Sequence, residues 1–123
     1  MTADGEEAAR MSRRFCQRAW LKPEKVEEYR RLHANAWPGV LKTIAACNLR
    51  SYRIDLLGTL VVSTFEYVGD DYEADMRRME ADPVTQEWWT HTKPCFMNHE
   101  AGIYYEDMEE IFRFDGPETG DAQ

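Results

Sequence analysis

The chain has 123 residues, a length that fits one domain with its own hydrophobic core. Its 23 acidic and 15 basic residues give a net charge of −8. We expect no nucleic-acid partner and no anionic membrane partner, because both require an excess of Lys and Arg. No apolar run approaches the ~18 residues that a membrane-spanning helix requires.

The three cysteines indicate a reducing compartment. Cys16, Cys47 and Cys95 are odd in number and form no C-x-x-C pair, and residues 1–10 lack the apolar stretch of a signal peptide. We therefore expect free thiols and a cytoplasmic location.

One ordered domain is predicted over residues 12–115, between polar tails at 1–11 and 116–123 that we expect to be disordered. The first strand is predicted at 12–21, with Phe15 and Ala19 on one face. Pro23 then starts a helix that runs to about residue 36, where Pro38 breaks it. A second helical piece follows at 39–47 with an apolar face, and Asn48 ends it. The residues of that face are Val40, Leu41 and Ile44.

The centre of the chain predicts a β-hairpin. Residues 49–57 alternate Tyr52, Ile54 and Leu56 with polar residues, and residues 60–68 are rich in β-branched and aromatic residues. Gly58-Thr59 supplies the turn. A helix is predicted next at 72–80, with Met76 and Met79 facing inward.

The third quarter of the chain predicts one more helix, and the remainder a loop and a strand. Asp82-Pro83 combines a helix N-cap with a proline suited to the first turn, so a helix is predicted from 83 to about 91. Residues 92–105 show no period and are predicted to be loop. The last strand is predicted to begin near Met108 and to end at Phe114.

The element order β-α-β-β-α-β predicts an α+β fold of the ferredoxin-like type. Helices cover only one face of such a sheet. We therefore expect a homodimer in which the uncovered faces of two sheets pack together.

The stretch EEYRRLHANAWP, residues 27–38, carries the candidate site. Tyr29 and His33 are four residues apart and project from one face of the predicted helix. Aromatic rings with polar groups need hydrogen-bond partners when buried, and the wall of a pocket supplies them. Trp37, before Pro38, is interpreted as a packing anchor at the helix break.

These residues resemble the L-rhamnose mutarotase family, small dimeric α/β-barrel proteins that interconvert the anomers of a 6-deoxy-L-sugar. The resemblance covers residues 13–115 and is most specific at EEYRRLHANAWP, which is similar to the family pattern E-Y-x-x-x-H-x-x-x-W-P. The resemblance implies that His33 is the proton donor. It also implies that Tyr29, Tyr52, Trp88 and Trp89 bind the sugar. Residues 97–102 differ from the family's N-P-D-N-S-P-like stretch, so L-fucose is an alternative to L-rhamnose.

The expected chemistry is general acid–base catalysis, since histidine has an unperturbed pKa of ~6.5. No cofactor and no metal are expected. His91, Cys95 and His99 recur every four residues, but Pro94 interrupts the helix that would align them. A second proton carrier is required, and its candidates are Asp55, Glu66 or a tyrosine.

Two alternatives to a mutarotase stay open at this point. One is a cofactor-free oxygenase on the same scaffold, because one fold hosts many chemistries. The other is a sugar-binding module without catalytic activity.

Overall fold

The computed structural model describes residues 13–102 and 104–117. The expected tail at 1–11 and most of the tail at 116–123 lie outside the described residues, as does Ser12 at the start of the first predicted strand. Within the part of the chain described, no helix is both long and apolar enough to cross a membrane.

Four strands form one antiparallel sheet in the order β2-β3-β1-β4, which confirms the predicted α+β class. The hairpin is confirmed, and Gly58 adopts the positive φ of +63° that its turn requires. The strands are β1 (Arg13–Trp20), β2 (Leu49–Leu57), β3 (Leu60–Tyr67) and β4 (Glu106–Asp107).

Four α-helices lie between the strands as the sequence predicts. A 3₁₀ turn at Pro23–Lys25 leads into the first helix, and two more at Lys93–Cys95 and His99–Ala101 follow the last. The helices are α1 (Val26–Ala34), α2 (Pro38–Ala46), α3 (Tyr72–Ala81) and α4 (Pro83–Thr92).

The break between α1 and α2 lies where Pro38 predicts it. Trp37 is extended, with φ −73° and ψ 134°, and Pro38 occupies the first turn of α2. Asn48 follows α2 in the left-handed region, with φ 70°, and its Nδ2 donates a hydrogen bond to Asp75 Oδ2 at 2.9 Å. The predicted end of the second helical piece at Asn48 is therefore confirmed.

The core lies between the sheet and the helices. Along β3, alternate residues are buried, so the helices cover one face of this strand. Two core clusters fill the layer. One contains Ala19, Leu21, Tyr29, Val61, Cys95 and Phe96, and the other contains Cys47, Leu49, Phe65, Tyr67 and Met79.

The predicted last strand is wrong. The structure has only Glu106–Asp107 in β4, although the backbone N–H of Met108 still donates to Cys16 O at 2.8 Å. Beyond Met108 the alternation is imperfect, because Ile111 lies on the strand face opposite to Phe112 and Phe114, and no described strand pairs with this segment. Ile111 and Phe112 are accordingly 87% and 82% exposed.

We predict that α4 depends on its N-cap. Asp82 Oδ2 accepts hydrogen bonds from both the backbone N–H and the hydroxyl of Thr85, each at 2.9 Å. Asp82→Ala should lower the melting temperature by about 4 °C, because these donors lose their acceptor. Asp82→Asn keeps an acceptor oxygen and is the matched control. Equal melting temperatures for Asp82→Ala and the unmodified chain would contradict the assigned cap.

Candidate active site

A cleft runs between α1, α2, α4 and the β2 side of the sheet, and it has two adjoining lobes. The aliphatic lobe has a volume of about 330 Å³ and the phenol lobe about 280 Å³. Four side chains line both lobes: His33, Tyr52, Ile54 and Trp88. The aliphatic lobe adds Ala36, Val40, Leu41, Ile44 and Arg53. The phenol lobe adds Tyr29, Trp89, Thr92, Lys93, Phe96, Tyr104 and Tyr105.

His33 lies at the junction of the two lobes with one ring nitrogen already engaged. Its Nδ1 is 2.9 Å from the carbonyl oxygen of Tyr29, one turn earlier in α1. A carbonyl oxygen only accepts, so Nδ1 carries the proton of the neutral ring and Nε2 keeps a lone pair. Among the described residues, none forms a hydrogen bond with Nε2.

The ionisation of His33 follows from its burial. Removal from water disfavours the charged ring and lowers its pKa, and the hydrogen bond to Tyr29 O opposes this only in part. The imidazole is therefore neutral at neutral pH. In that state Nε2 can accept a proton from a molecule in the cleft.

Aromatic rings fix the orientation of the imidazole. The ring centroids of Tyr29 and Trp88 lie 4.2 Å and 5.4 Å from that of His33. Trp37 packs edge-on against Trp88 at 5.2 Å and lines neither lobe, which agrees with its interpretation as a packing anchor. Trp37, at the break before α2, thus helps to hold Trp88 in its place in the cleft wall.

Tyr52 reaches the cleft through a β-bulge in β2. Arg50 pairs with Glu66 and Arg53 pairs with Thr64, so Ser51 and Tyr52 together oppose a single residue. Ser51 takes a φ of 54°, and the Tyr52 ring stacks on Phe65 at 5.1 Å. Although 42% of Tyr52 is exposed, burial around its hydroxyl raises the pKa, so the phenol stays protonated.

Trp88 and Trp89 occupy different positions in the cleft. Adjacent helix residues point about 100° apart, and only Trp88 lines both lobes. Trp88 is 6% exposed. Trp89 lines the phenol lobe alone, and the Lys93 ammonium lies 4.2 Å from the centre of its ring.

Sequence reasoning missed two tyrosines of the phenol lobe. Tyr104 and Tyr105 pack on Phe96 with ring centroids 5.0 Å and 5.2 Å away. Burial raises the pKa of Tyr104 to about 12, and it also raises the pKa of Tyr105. They follow a stretch without helix or strand period, and only the aromatic doublet itself marks their position in the sequence.

The two carboxylates considered as second proton carriers lie elsewhere. Glu66 pairs with Arg14 at 3.1 Å and projects from the face of β3 opposite to the buried Ser63. Asp55 pairs with Arg53 at 3.1 Å. Neither lines the cleft, and no Asp or Glu does so among the residues described.

The histidines and the cysteine at residues 91, 95 and 99 are placed by packing and by backbone hydrogen bonds. His91 packs against Trp37, the Cys95 thiol donates to His91 O, and His99 Nδ1 lies 3.3 Å from Phe96 O. Within residues 13–102 and 104–117, no three His, Cys, Asp or Glu side chains group closely enough to hold a metal ion.

Comparison with known sequences identifies one family. The family model described as L-rhamnose mutarotase matches residues 14–114. The chain is 26% identical to an L-rhamnose mutarotase of Lactiplantibacillus plantarum over 103 residues, which covers 83% of this chain and 98% of the relative. It is 28% identical to an L-rhamnose mutarotase of Bacillus subtilis over 93 residues, which covers 75% of this chain and 88% of the relative.

Comparison with solved structures supports the same fold. An L-rhamnose mutarotase from Formosa agariphila superposes with a TM-score of 0.66 at 16% identity, covering 84% of this chain and 99% of that one. A NIPSNAP family protein from Agrobacterium tumefaciens gives a TM-score of 0.57 at 16% identity, covering 79% and 82%. At 16% identity these two structures support only the fold. The family is shown by the sequence model, which matches residues 14–114. The chain therefore belongs to the L-rhamnose mutarotase family.

Proposed function

We propose that the protein is an aldose 1-epimerase that interconverts the α and β anomers of L-rhamnose by acid–base catalysis at His33. The observation that carries this proposal is the position of the His33 imidazole at the junction of the two lobes, with Nδ1 2.9 Å from Tyr29 O and Nε2 bonded to none of the described residues. Membership of the family adds the substrate class. As a member of this family the chain is an isomerase acting on carbohydrates.

The two lobes suit the two sides of a 6-deoxy sugar. The aliphatic lobe offers Val40, Ile44 and Ile54 to the C6 methyl group, which has no hydrogen bonds to lose there. The phenol lobe offers hydroxyl groups to the sugar hydroxyls. This orientation places the anomeric carbon and the ring oxygen near His33.

The binding roles follow from this orientation. Tyr52 donates its phenol proton to a sugar hydroxyl, and Tyr29 shapes the phenol lobe beside His33. Trp88 covers an apolar face of the ring, and Trp89 closes the phenol lobe, because indoles pack well against C–H surfaces.

The reaction moves one proton off the sugar and one onto it. His33 Nε2 takes the proton of the anomeric hydroxyl while the C1–O5 bond breaks and O5 gains a proton, so His33 is first a base and becomes the proton donor that the resemblance implies in the closing step. The open-chain aldehyde rotates about C1–C2, and O5 then attacks the other face of C1. O5 gives up its proton as the new bond forms, and the imidazolium returns its proton to O1. Positioned acid–base groups typically accelerate such steps by 10²–10⁴-fold.

We predict that His33→Ala lowers the rate of anomer exchange at least about 100-fold, because no group replaces the base. Saturation-transfer NMR on L-rhamnose and L-fucose measures this rate directly. His99→Ala is the matched control, since His99 also has Nδ1 next to a backbone carbonyl but lines neither lobe.

Each outcome of that experiment decides between named functions. Faster exchange of L-fucose than of L-rhamnose would reassign the sugar. Thermal stabilisation by a sugar without accelerated exchange would indicate a binding module. Equal rates for His33→Ala and the unmodified protein would remove His33 from the mechanism.

The pH dependence of the rate should report the buried imidazole. Because burial lowers the pKa of His33, the neutral base persists below the ordinary value of 6.5. The value of kcat/KM should be constant above that pKa and fall as the pH is lowered through it, with a midpoint below 6.5. A midpoint at or above 6.5 in NMR exchange measurements would contradict a neutral resting imidazole.

We also propose that the protein is a homodimer of the ferredoxin-like α/β-barrel type. The face of β3 that points away from the helices carries half-exposed Leu60, Val62 and Thr64. Cys16 and Met108 lie beside it, with sulfur atoms 3.6 Å apart. A second copy of the same face would cover these apolar side chains.

Val62→Glu should convert the dimer to a monomer, because the buried interface would have to desolvate a carboxylate in each copy. Sedimentation equilibrium measures the mass. Val84→Glu, the same change at a 41% exposed position of α4, should leave the dimer intact. A monomeric unmodified protein would contradict the proposed assembly.

A further inference from the structure

The phenol lobe has one charged side chain among the residues described, the ammonium group of Lys93. The other groups that line it are aromatic rings, hydroxyl groups, Ile54 and the neutral imidazole of His33. Lys93 is half-buried, and no carboxylate of residues 13–102 or 104–117 forms an ion pair with it. A cation at the wall of the lobe therefore has no protein anion as its partner.

Lys93 is positioned by the end of α4 and by the ring of Trp89. It follows the last residue of α4, and its backbone N–H donates to Trp89 O, one turn earlier. The side chain lies on the face of the helix that carries Trp89, and its Nζ is 4.2 Å from the centre of the indole ring. Trp89 itself lines the phenol lobe. An ammonium group has three N–H donors, so contact with one ring leaves donors for a molecule in the lobe.

Lys93 lies between the phenol lobe and a second, more open cavity of about 370 Å³, whose wall it shares with Trp89 and His99. Contact with this open space keeps part of the ammonium group in water, which lowers the cost of a charge without a partner. Lys93 is thus able to remain charged and still face the lobe.

We propose that Lys93 is the second proton carrier, which gives a proton to the ring oxygen O5 while His33 takes the proton of the anomeric hydroxyl. This inference rests on the proposed mutarotase function. In the opening step the electron pair of the C1–O5 bond goes to O5, which receives a proton from Nζ and leaves a neutral amine. In the closing step the amine takes the O5 proton as O5 attacks C1, and the imidazolium returns its proton to O1.

The charge of the cleft explains why an ammonium group suits this step better than a phenol. His33 becomes positive when it takes a proton, and Lys93 becomes neutral when it gives one, so the net charge of the pair does not change. A phenol in the same role would become an anion, and two new charges would form in a cavity with mostly aromatic walls. Burial raises the pKa of each phenol that lines the lobe, so their anions are disfavoured there. These phenols belong to Tyr29, Tyr52, Tyr104 and Tyr105.

Two further donors of the cleft do not suit the role. Arg53 lines the aliphatic lobe, and its Nε and Nη2 already donate to Asp55 at 3.1 Å each. A guanidinium group also holds its protons throughout the pH range of proteins. Thr92 lines the phenol lobe, but its alcohol would become an anion if it gave up its proton. Lys93 has neither disadvantage.

The first test removes the ammonium group and keeps an unbranched side chain. Lys93→Met should lower kcat for anomer exchange of L-rhamnose by about 100-fold or more, with KM changed little, because the loss acts on the bond-breaking step. Lys22→Met is the matched control, since Lys22 is also half-buried but lines neither lobe. An unchanged kcat for Lys93→Met, or an equal loss in Lys22→Met, would overturn the proposal.

Lys93→Arg separates transfer of a proton from the effect of charge, and it decides the matter if Lys93→Met fails to fold. The guanidinium group keeps a cation against Trp89 but does not release its proton. We expect kcat of Lys93→Arg to be about 100-fold below that of the unmodified protein. A kcat close to the unmodified value would show that charge alone is sufficient, and it would overturn the proposal.

A small amine tests the proton itself. In Lys93→Ala, methylammonium chloride should restore part of kcat in proportion to its concentration, because methylammonium has N–H protons to give. Tetramethylammonium chloride carries the same charge without an N–H and should restore nothing. Equal effects of the two salts would overturn the proposal. Absence of accelerated exchange by the unmodified protein would instead refute the proposed function itself.

Discussion

The hydrogen bond between His33 Nδ1 and the Tyr29 carbonyl is the interaction on which the rest of the site depends. It spans one helical turn, so the backbone of α1 alone sets its length of 2.9 Å. It fixes the neutral tautomer and leaves the basic nitrogen on the other side of the ring. Tyr29 is anchored in turn by the core, where its ring lies edge-on to Phe96 at 5.2 Å. The chemistry of the imidazole is therefore a consequence of helix geometry and core packing.

The remaining walls of the cleft are brought to this imidazole by local features of the backbone. Pro38 ends α1 and turns α2 so that Val40 and Ile44 face the aliphatic lobe. The bulge at Ser51 inserts one residue into β2 and places the Tyr52 ring on Phe65. Each feature interrupts a helix or a strand. Each lies at a wall of the cleft, where the interruption changes the direction in which a side chain points.

The sequence predicted the features that depend only on residues close together along the chain. The four-residue spacing of Tyr29 and His33, the break at Pro38 and the cap at Asp82 each depend on neighbours along the chain, so each could be predicted. Tyr105 could not be placed, because its position depends on packing against Phe96, which no periodicity connects to it. The bulge has no signal either, since serine only rarely adopts a positive φ. The prediction of a strand after Met108 was wrong for a related reason, because a strand requires a neighbouring strand to pair with and the local sequence does not show whether one is present.

No carboxylate from residues 13–102 or 104–117 lines the cleft, which is unexpected in a chain with 23 acidic residues and has a physical explanation. A buried carboxylate beside His33 would stabilise the charged imidazole and raise its pKa, so the ring would already be protonated when a sugar binds and could not act as the base. Phenols provide hydrogen bonds to sugar hydroxyls without placing a fixed negative charge next to the base. The described acidic residues lie outside the cleft. The uncharged rings of Tyr29 and Trp88 beside His33 favour the neutral form of its imidazole.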